Sequence, residues 1–119
     1  MPVKIKRAYD PPESADGKRY LVDRLWPRGR RRDALQLDEW LKQLAPSTSL
    51  RRWYNHEPER WEEFKVRYRS ELRSPEQQTL LQDLATESAH GMVTLVFAAG
   101  DEARNEAVVL KGTLDDMVG

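Results

Sequence analysis

An unbroken apolar run near the C-terminus constrains the fold more than any other feature. Residues 92–98 read MVTLVFA, and their β-branched and aromatic content favours a strand. A strand without charged residues or an alternation of polar ones is typical of one buried on both faces, as in the middle of a parallel sheet. The turn residues 99–101 follow, and we expect Asp101 to be the N-cap of a last helix. The apolar positions beyond the turn keep helical spacing: Ala103, Ala107, Leu110, Leu114 and Met117.

Two further strands are predicted near the N-terminus. The segment from Val3 to Tyr9 alternates apolar and basic residues, which predicts one buried face, with Lys4 and Lys6 on the solvent face. The segment from Tyr20 to Leu25 is more continuously apolar and so more central. About ten residues separate the two, few for a crossover and enough for a hairpin, so spacing alone leaves their relative orientation open.

Helical periodicity dominates the middle of the chain. We expect a helix from Asp33 to Pro46, a short helical turn over 47–54, and an amphipathic helix from Pro58 to Leu72. A capping box at 74–77 predicts another helix that closes near Gly91. The element order predicts an α/β fold, a single three-layer domain over 1–119 with a small, mainly parallel sheet flanked by helices.

Composition excludes several classes of chemistry. The 119 residues suffice for one core, and the absence of cysteine excludes disulfides, thiolate metal sites and cysteine nucleophiles. With only two histidines in the chain, a histidine-based metal site is not expected, and a metal would have to be held by oxygen, as a magnesium ion at Asp10, Asp23 and Asp101 would be. We expect no metal, and because no Gly-rich nucleotide-binding loop is present, no cofactor. No 18-residue apolar run or signal peptide is present, so we expect no membrane association and a cytoplasmic location. The oligomeric state stays open.

The segment LVDRLWPRGRRR, residues 21–32, is the main candidate for a binding site. Its polar residues follow a predicted strand, and ligands gather at the carboxyl ends of strands in open α/β sheets. Arg24 and Arg28 are suited to bidentate contacts with a phosphate or carboxylate, and Trp26 to stacking. We interpret Arg30 to Arg32 as a solvated basic loop.

Other polar residues are predicted to complete this site. Tyr9 and Asn105 join the ligand-binding residues, while Asp10 and Asp23 are the candidate catalytic carboxylates, which would orient the arginines or act as acid and base. Each carboxylate also has a structural interpretation, as a turn cap or as an arginine partner. We interpret His56, beside a helix start, as structural or exposed.

Three functional hypotheses follow, and whether the protein is an enzyme stays open. The leading one is a cleft that binds an anionic small molecule or nucleic acid, specifically a phosphate-bearing ligand such as a nucleotide or a nucleic-acid end. The second is a non-catalytic module that docks an acidic partner through Arg28 to Arg32. The third is a thiol-independent hydrolase or transferase that uses the carboxylates.

The chain resembles the bacterial YeaO-like proteins, a family of unknown function. The resemblance rests on KRAYDPP, DGKRYLVDRLWPRG, LDEWLKQLAPSTSLRRWY and VTLVFAAGDEARNEAVVL. It implies a small α/β protein, and because longer relatives carry a helix between the first two strands, it implies that these strands are parallel. Longer relatives often have a cysteine after the last strand, where this chain has alanine. The motif residues it carries over are Tyr9, Asp10, Asp23, Arg24, Trp26, Pro27, Arg28, Gly29, Pro46, Ser47 and Asn105.

Overall fold

The computed structural model describes residues 3–118, which form an α/β fold around a four-stranded parallel sheet. Every strand pairing is parallel, and the order across the sheet is β1-β4-β2-β3. The α/β class and the parallel orientation are therefore confirmed, as is the inner position of the apolar strand β4. The strands are β1 (Val3–Arg7), β2 (Lys18–Leu21), β3 (Glu39–Trp40) and β4 (Val93–Phe97).

Helices cover the two faces of the sheet unequally. The longer helices pack on one face, with α4 and α5 directly against the strands, and only short segments cover the other. Within residues 3–118, none of the helices has the length and apolar character needed to cross a membrane. The helices are α1 (Arg32–Leu35), α2 (Thr48–Tyr54), α3 (Trp61–Glu71), α4 (Pro75–Ser88) and α5 (Glu106–Val118), with 3-10 turns at Ser14–Asp16, Lys42–Leu44 and Pro58–Arg60.

Strand β4 contributes to a core on each face because successive side chains alternate across a sheet. Val93, Leu95 and Phe97 belong to the large core under the long helices. Val96 belongs to a smaller cluster with Leu21 on the opposite face. All five residues of β4 are buried, which explains why the sequence shows no polar alternation there.

A buried acidic residue organises the thinly covered face. Asp16 is fully buried, and its carboxylate binds Lys4 at 2.8 Å, Lys6 at 3.1 Å and Arg19 at 2.6 Å. Desolvation raises the pKa of this carboxyl, but hydrogen bonds from Lys4, the Glu13 amide, Lys6 and Arg19 outweigh it and hold the pKa well below its usual range. The predicted solvent face for Lys4 and Lys6 is therefore wrong, because both ammonium groups face this carboxylate.

The single helix predicted from Asp33 to Pro46 is also wrong. Helix α1 ends at Leu35, since Gln36 adopts a left-handed conformation with φ of 48°. The chain then adds β3 to the open edge of β2, pairing Trp40 with Leu21. Tertiary pairing overrides the helical spacing of the apolar residues here, because an unpaired strand edge gains main-chain hydrogen bonds from the new strand.

Candidate functional site

A cavity of about 640 Å³ lies at the carboxyl ends of the strands. That volume is typical of pockets that hold drug-sized ligands. Three segments form its walls: the loop after β2, the region of α2, and the turn between β4 and α5. The lining residues are Tyr9, Asp23, Arg24, Leu25, Trp26, Pro27, Arg28, Pro46, Arg51, Tyr54, His56, Phe64, Ala98, Ala99, Gly100, Asp101, Arg104, Asn105 and Glu106.

Two carboxyl groups meet in this cavity. Asp23 follows β2 and is fixed by the Ala98 amide, which donates to Asp23 Oδ2 at 2.9 Å. Glu106 is the first residue of α5, and its carboxyl lies within hydrogen-bonding reach of Asp23. The buried Asp23 Oδ1 has no N–H or O–H partner elsewhere in residues 3–118, so it is the oxygen left for a Glu106 proton. The pair is suited to sharing one proton.

The environment favours the protonated form of Glu106. Burial, the hydrogen bond to Asp23 and the charge of Asp23 raise the pKa of Glu106 well above its ordinary value. The α5 backbone and Arg51 act in the opposite direction without reversing the shift. These surroundings therefore favour a proton on Glu106 up to a higher pH than for a free glutamic acid side chain.

The four arginines that line the cavity have different partners. Arg24 is a structural brace, because its Nε donates to the Pro46 carbonyl at 3.0 Å and Nη2 donates to Ala45 O at 3.5 Å. Arg104 pairs with Asp101 at 2.9 Å. By contrast, the side chains of Arg28 and Arg51 are exposed and form neither an ion pair nor a hydrogen bond with the part of the chain that the structure describes.

The balance of charge in the cavity is positive. Four arginines face three carboxyl groups, so the sum of these side-chain charges is positive whether or not Glu106 is protonated. The two arginines without partners supply the excess. Because guanidinium groups bind phosphate and carboxylate in bidentate geometry, the arrangement suits an anion.

The loop after β2 is held in place by its aromatic and arginine residues. Trp26 Nε1 donates to the Arg30 carbonyl at 2.7 Å, and the indole packs edge-on against Trp40 with centroids 5.3 Å apart. Arg30 lies 5.2 Å from the centroid of the Tyr9 ring and donates to the Tyr9 carbonyl at 2.9 Å. Tyr9 in turn donates from its hydroxyl to the Arg28 carbonyl at 3.0 Å. Describing Arg30 as solvated loop is therefore wrong, because its side chain ties the loop to the end of β1.

The turn between β4 and α5 differs from the prediction at one residue. Asp101 accepts hydrogen bonds from the amides of Ala103 and Arg104 at 3.0 and 3.1 Å, which closes a local turn rather than capping the helix. Asn105 is the cap, since its Oδ1 accepts from the Val108 amide at 3.1 Å. Desolvation raises the pKa of Asp101, but the hydrogen bonds from Ala103 and Arg104 outweigh this effect, so the pKa lies below its ordinary value. The helix starts four residues later than it would with an Asp101 cap, because the local turn uses those residues.

The cavity wall formed by the end of α2 contains strained backbone. Asn55 and His56 both have positive φ, 47° and 56°, directly after α2. Such conformations are costly for residues other than glycine and cluster at functional sites. Here they bring His56 to the cavity beside the buried Tyr54, with ring centroids 6.2 Å apart. Burial and the nearby charge of Asp101 raise the pKa of the Tyr54 hydroxyl.

The fold brings together most residues predicted for the site. Tyr9, Asp23, Arg24, Trp26, Arg28 and Asn105 all line the cavity, whereas the exposed Asp10 does not. Sequence reasoning missed Glu106 and Arg51 and set His56 aside. Glu106 directly follows Asn105 at the start of a helix, a position that could have suggested it. Arg51 carries no such signal, because nothing in the sequence distinguishes it from Arg52.

The acidic residues of the cavity do not form an evident metal centre. Across residues 3–118, no group of three or more His, Cys, Asp or Glu side chains is arranged to hold a metal ion. The carboxyl pair of Asp23 and Glu106 lies instead near the guanidinium of Arg51.

Comparison with known proteins identifies the family. Residues 2–118 match the family DUF488-N3i, described as the inactive DUF488-N3 subclade. The chain is 42% identical over 111 residues to the uncharacterized protein YeaO of Escherichia coli, covering 92% of this chain and 94% of that protein. It is 41% identical over 113 residues to the uncharacterized protein Rv3073c of Mycobacterium tuberculosis, covering 95% and 93%. A search of solved structures gives no significant match. The chain therefore belongs to the YeaO-like proteins, within the DUF488-N3i family.

Proposed function

We propose that this protein binds a phosphate-bearing ligand, such as a nucleotide or a nucleic-acid end, in the cavity at the carboxyl ends of the strands. One observation supports the proposal above all others: Arg28 and Arg51 face the cavity without a partner among residues 3–118. Arginines that have no structural role at the mouth of a pocket are suited to grip an anion. The net positive charge of the cavity would also steer such a ligand toward it.

Binding without turnover is the role that we favour. The family is described as an inactive subclade, and this description supports a binding role more than a catalytic one. Two of the predicted catalytic and gripping residues also have structural uses: Asp23 accepts from the backbone of Ala98, and Arg24 braces the carbonyl of Pro46. Asp10 lies away from the cavity and takes no part in the proposal.

The proposal is tested by ligand-induced stabilisation. Inorganic pyrophosphate and nucleoside 5′-phosphates should raise the melting temperature, and calorimetry should then give their affinities. We expect Arg28→Ala and Arg51→Ala each to weaken binding about tenfold or more, since a hydrogen bond to a charged group is worth about 1.5–3 kcal/mol. Arg31→Ala is the matched control, because the Arg31 side chain is 84% exposed, lies outside the cavity and, within residues 3–118, forms an ion pair with Asp33 alone.

The outcome also separates this proposal from docking of an acidic partner through Arg28 to Arg32. That alternative predicts that Arg31→Ala weakens binding as much as Arg28→Ala does, with a steep dependence on salt. Arg30 gives it little support, because its side chain is engaged with Tyr9. If no phosphate compound stabilises the natural protein, the proposed function is wrong. Arg24→Ala is a poor test, since loss of its bonds to Ala45 and Pro46 would disturb the fold.

A further inference from the structure

The carboxyl pair of Asp23 and Glu106 is unexplained by anion binding alone. A cavity that only gripped phosphate would gain nothing from two acidic groups inside it, because they oppose the ligand's charge. Yet Asp23 is held firmly by the Ala98 amide at 2.9 Å, and Glu106 is placed beside it by the start of α5. The cavity thus combines a cationic part, at Arg28 and Arg51, with an acceptor part at the two carboxyl groups.

Resting on the proposed function, we propose that Asp23 and Glu106 bind the vicinal hydroxyl groups of a phosphorylated ribose while Arg28 and Arg51 hold its phosphate. The ligand class is therefore a 5′-phosphorylated ribose, free or within a nucleoside monophosphate. Glu106 and Asp23 are specificity-determining residues in this arrangement and take no covalent part.

Hydrogen-bond chemistry favours hydroxyl groups at the carboxyl pair. A carboxylate only accepts hydrogen bonds, and a protonated carboxyl donates one and still accepts through its second oxygen. Hydroxyl groups supply the matching donors and carry no charge, so Asp23 does not repel them. An acidic residue that hydrogen-bonds a ribose hydroxyl is a recurrent device at the carboxyl ends of parallel strands.

The rest of the cavity is compatible with this ligand class. The volume of about 640 Å³ lies within the range of pockets for drug-sized molecules. Trp26, Tyr54 and Phe64 supply aromatic lining, and Leu25 at the cavity is 59% exposed, so the ring face of a nucleobase would find apolar contacts. A free metal ion is a poorer occupant of the carboxyl pair, because Arg51 lies close to Glu106 and would repel it.

Calorimetry with four probes tests the inference on the intact protein: ribose 5-phosphate, adenosine 5′-monophosphate, its 2′,3′-dideoxy analogue and inorganic pyrophosphate. We expect the dideoxy analogue to bind at least about tenfold more weakly than adenosine 5′-monophosphate, because it leaves the acceptor oxygens of the carboxyl pair without hydroxyl donors. Comparison of the first two probes shows whether the base contributes. Equal affinity of the ribo and dideoxy compounds would overturn the inference.

Variants test whether the carboxyl pair is responsible for the difference in affinity between the ribo and dideoxy compounds. In Glu106→Gln and Asp23→Asn the ratio between ribo and dideoxy affinities should fall toward one, while pyrophosphate affinity stays within about threefold or increases. In Arg28→Ala both affinities should fall and their ratio should persist. The ratio is measured within one variant, so a general loss of stability does not imitate the result. A ratio unchanged in both carboxyl variants also overturns the inference.

The two proposals fail differently. If pyrophosphate binds but hydroxyl groups make no difference, the carboxyl pair does not select ribose, and anion binding stands. If neither pyrophosphate nor any phosphorylated ribose binds, the proposed function fails, and the inference built on it fails with it.

Discussion

The shared proton of the Asp23–Glu106 pair should be visible in the stability of the protein without any ligand. Glu106→Gln is the decisive change, since glutamine keeps the shape of the side chain and its amide can donate a hydrogen bond to the Asp23 carboxylate, as a protonated acid can. The pKa of Glu106 is raised in the folded state, so folding takes up a proton wherever the unfolded side chain has already lost it. The contribution of Glu106 to the free energy of unfolding is fully present below its ordinary pKa of 4.5, and it is lost as the pH rises through the pKa of the folded state.

The size of the effect follows from proton linkage. Between pH 4.5 and the folded pKa, the free energy of unfolding should fall by about 1.4 kcal/mol per pH unit in the natural protein relative to Glu106→Gln. Urea unfolding of both proteins at pH 5, 6, 7 and 8 measures this difference. Only the slope is used, so a constant offset from the substitution itself cancels.

A matched control uses a carboxylate outside the pair. Glu102 is exposed, lies in the same turn and does not line the cavity, so Glu102→Gln should show a flat difference across the same range. If Glu106→Gln gives a difference as flat as that of Glu102→Gln, the two cavity carboxyl groups do not share a proton, and the charge balance of the site must be revised.

Three further outcomes are expected. Affinity for pyrophosphate should fall with rising pH more steeply in the natural protein than in Glu106→Gln, because loss of the shared proton removes one unit of positive charge from the cavity; isothermal titration across pH checks this. Asp16→Asn should lower the free energy of unfolding by about 3–5 kcal/mol, measured with urea, because it leaves the buried Arg19 without a charged partner. Gly17→Ala should lower the free energy of unfolding by more than the about 1–3 kcal/mol expected from backbone strain alone, because Gly17 has φ of 64° and an added Cβ would also lie 2.2 Å from the Met92 carbonyl oxygen. A melting temperature equal to that of the natural protein would contradict this geometry.

Much of the site was predictable because apolar runs in the sequence show where the strands end, and the polar residues that follow lie at the carboxyl ends of the strands. The apolar run at 92–98 identified β4, and the polar residues that follow β2 and β4 then had to lie at one edge once the strands were parallel. Tyr9, Asp23, Arg28 and Asn105 reach the cavity by this logic. Asp10 does not, since the turn after β1 carries it out of the cavity wall into solvent.

Several features could not be predicted because they depend on distant partners. Arg51 reaches the cavity because α2 packs beside α3, and no local signal records that packing. The segment Glu39–Trp40 forms strand β3 because it can pair with the free edge of β2, although the spacing of apolar residues favoured a helix there. Lys4 and Lys6 show the alternation of an exposed face, but the carboxylate that covers them belongs to another segment, at Asp16.

The sequence by itself determined the α/β class, the inner strand and the supply of arginines and carboxylates, because apolar runs and charged residues are local properties. Tertiary structure alone decided how those charges are used. It engaged Arg24 with the Pro46 carbonyl and left Arg28 without a partner in the described chain, although both occur in one short segment. It also brought Glu106 to Asp23, 83 positions apart in the sequence, and so placed two ordinary acidic residues within hydrogen-bonding reach of each other.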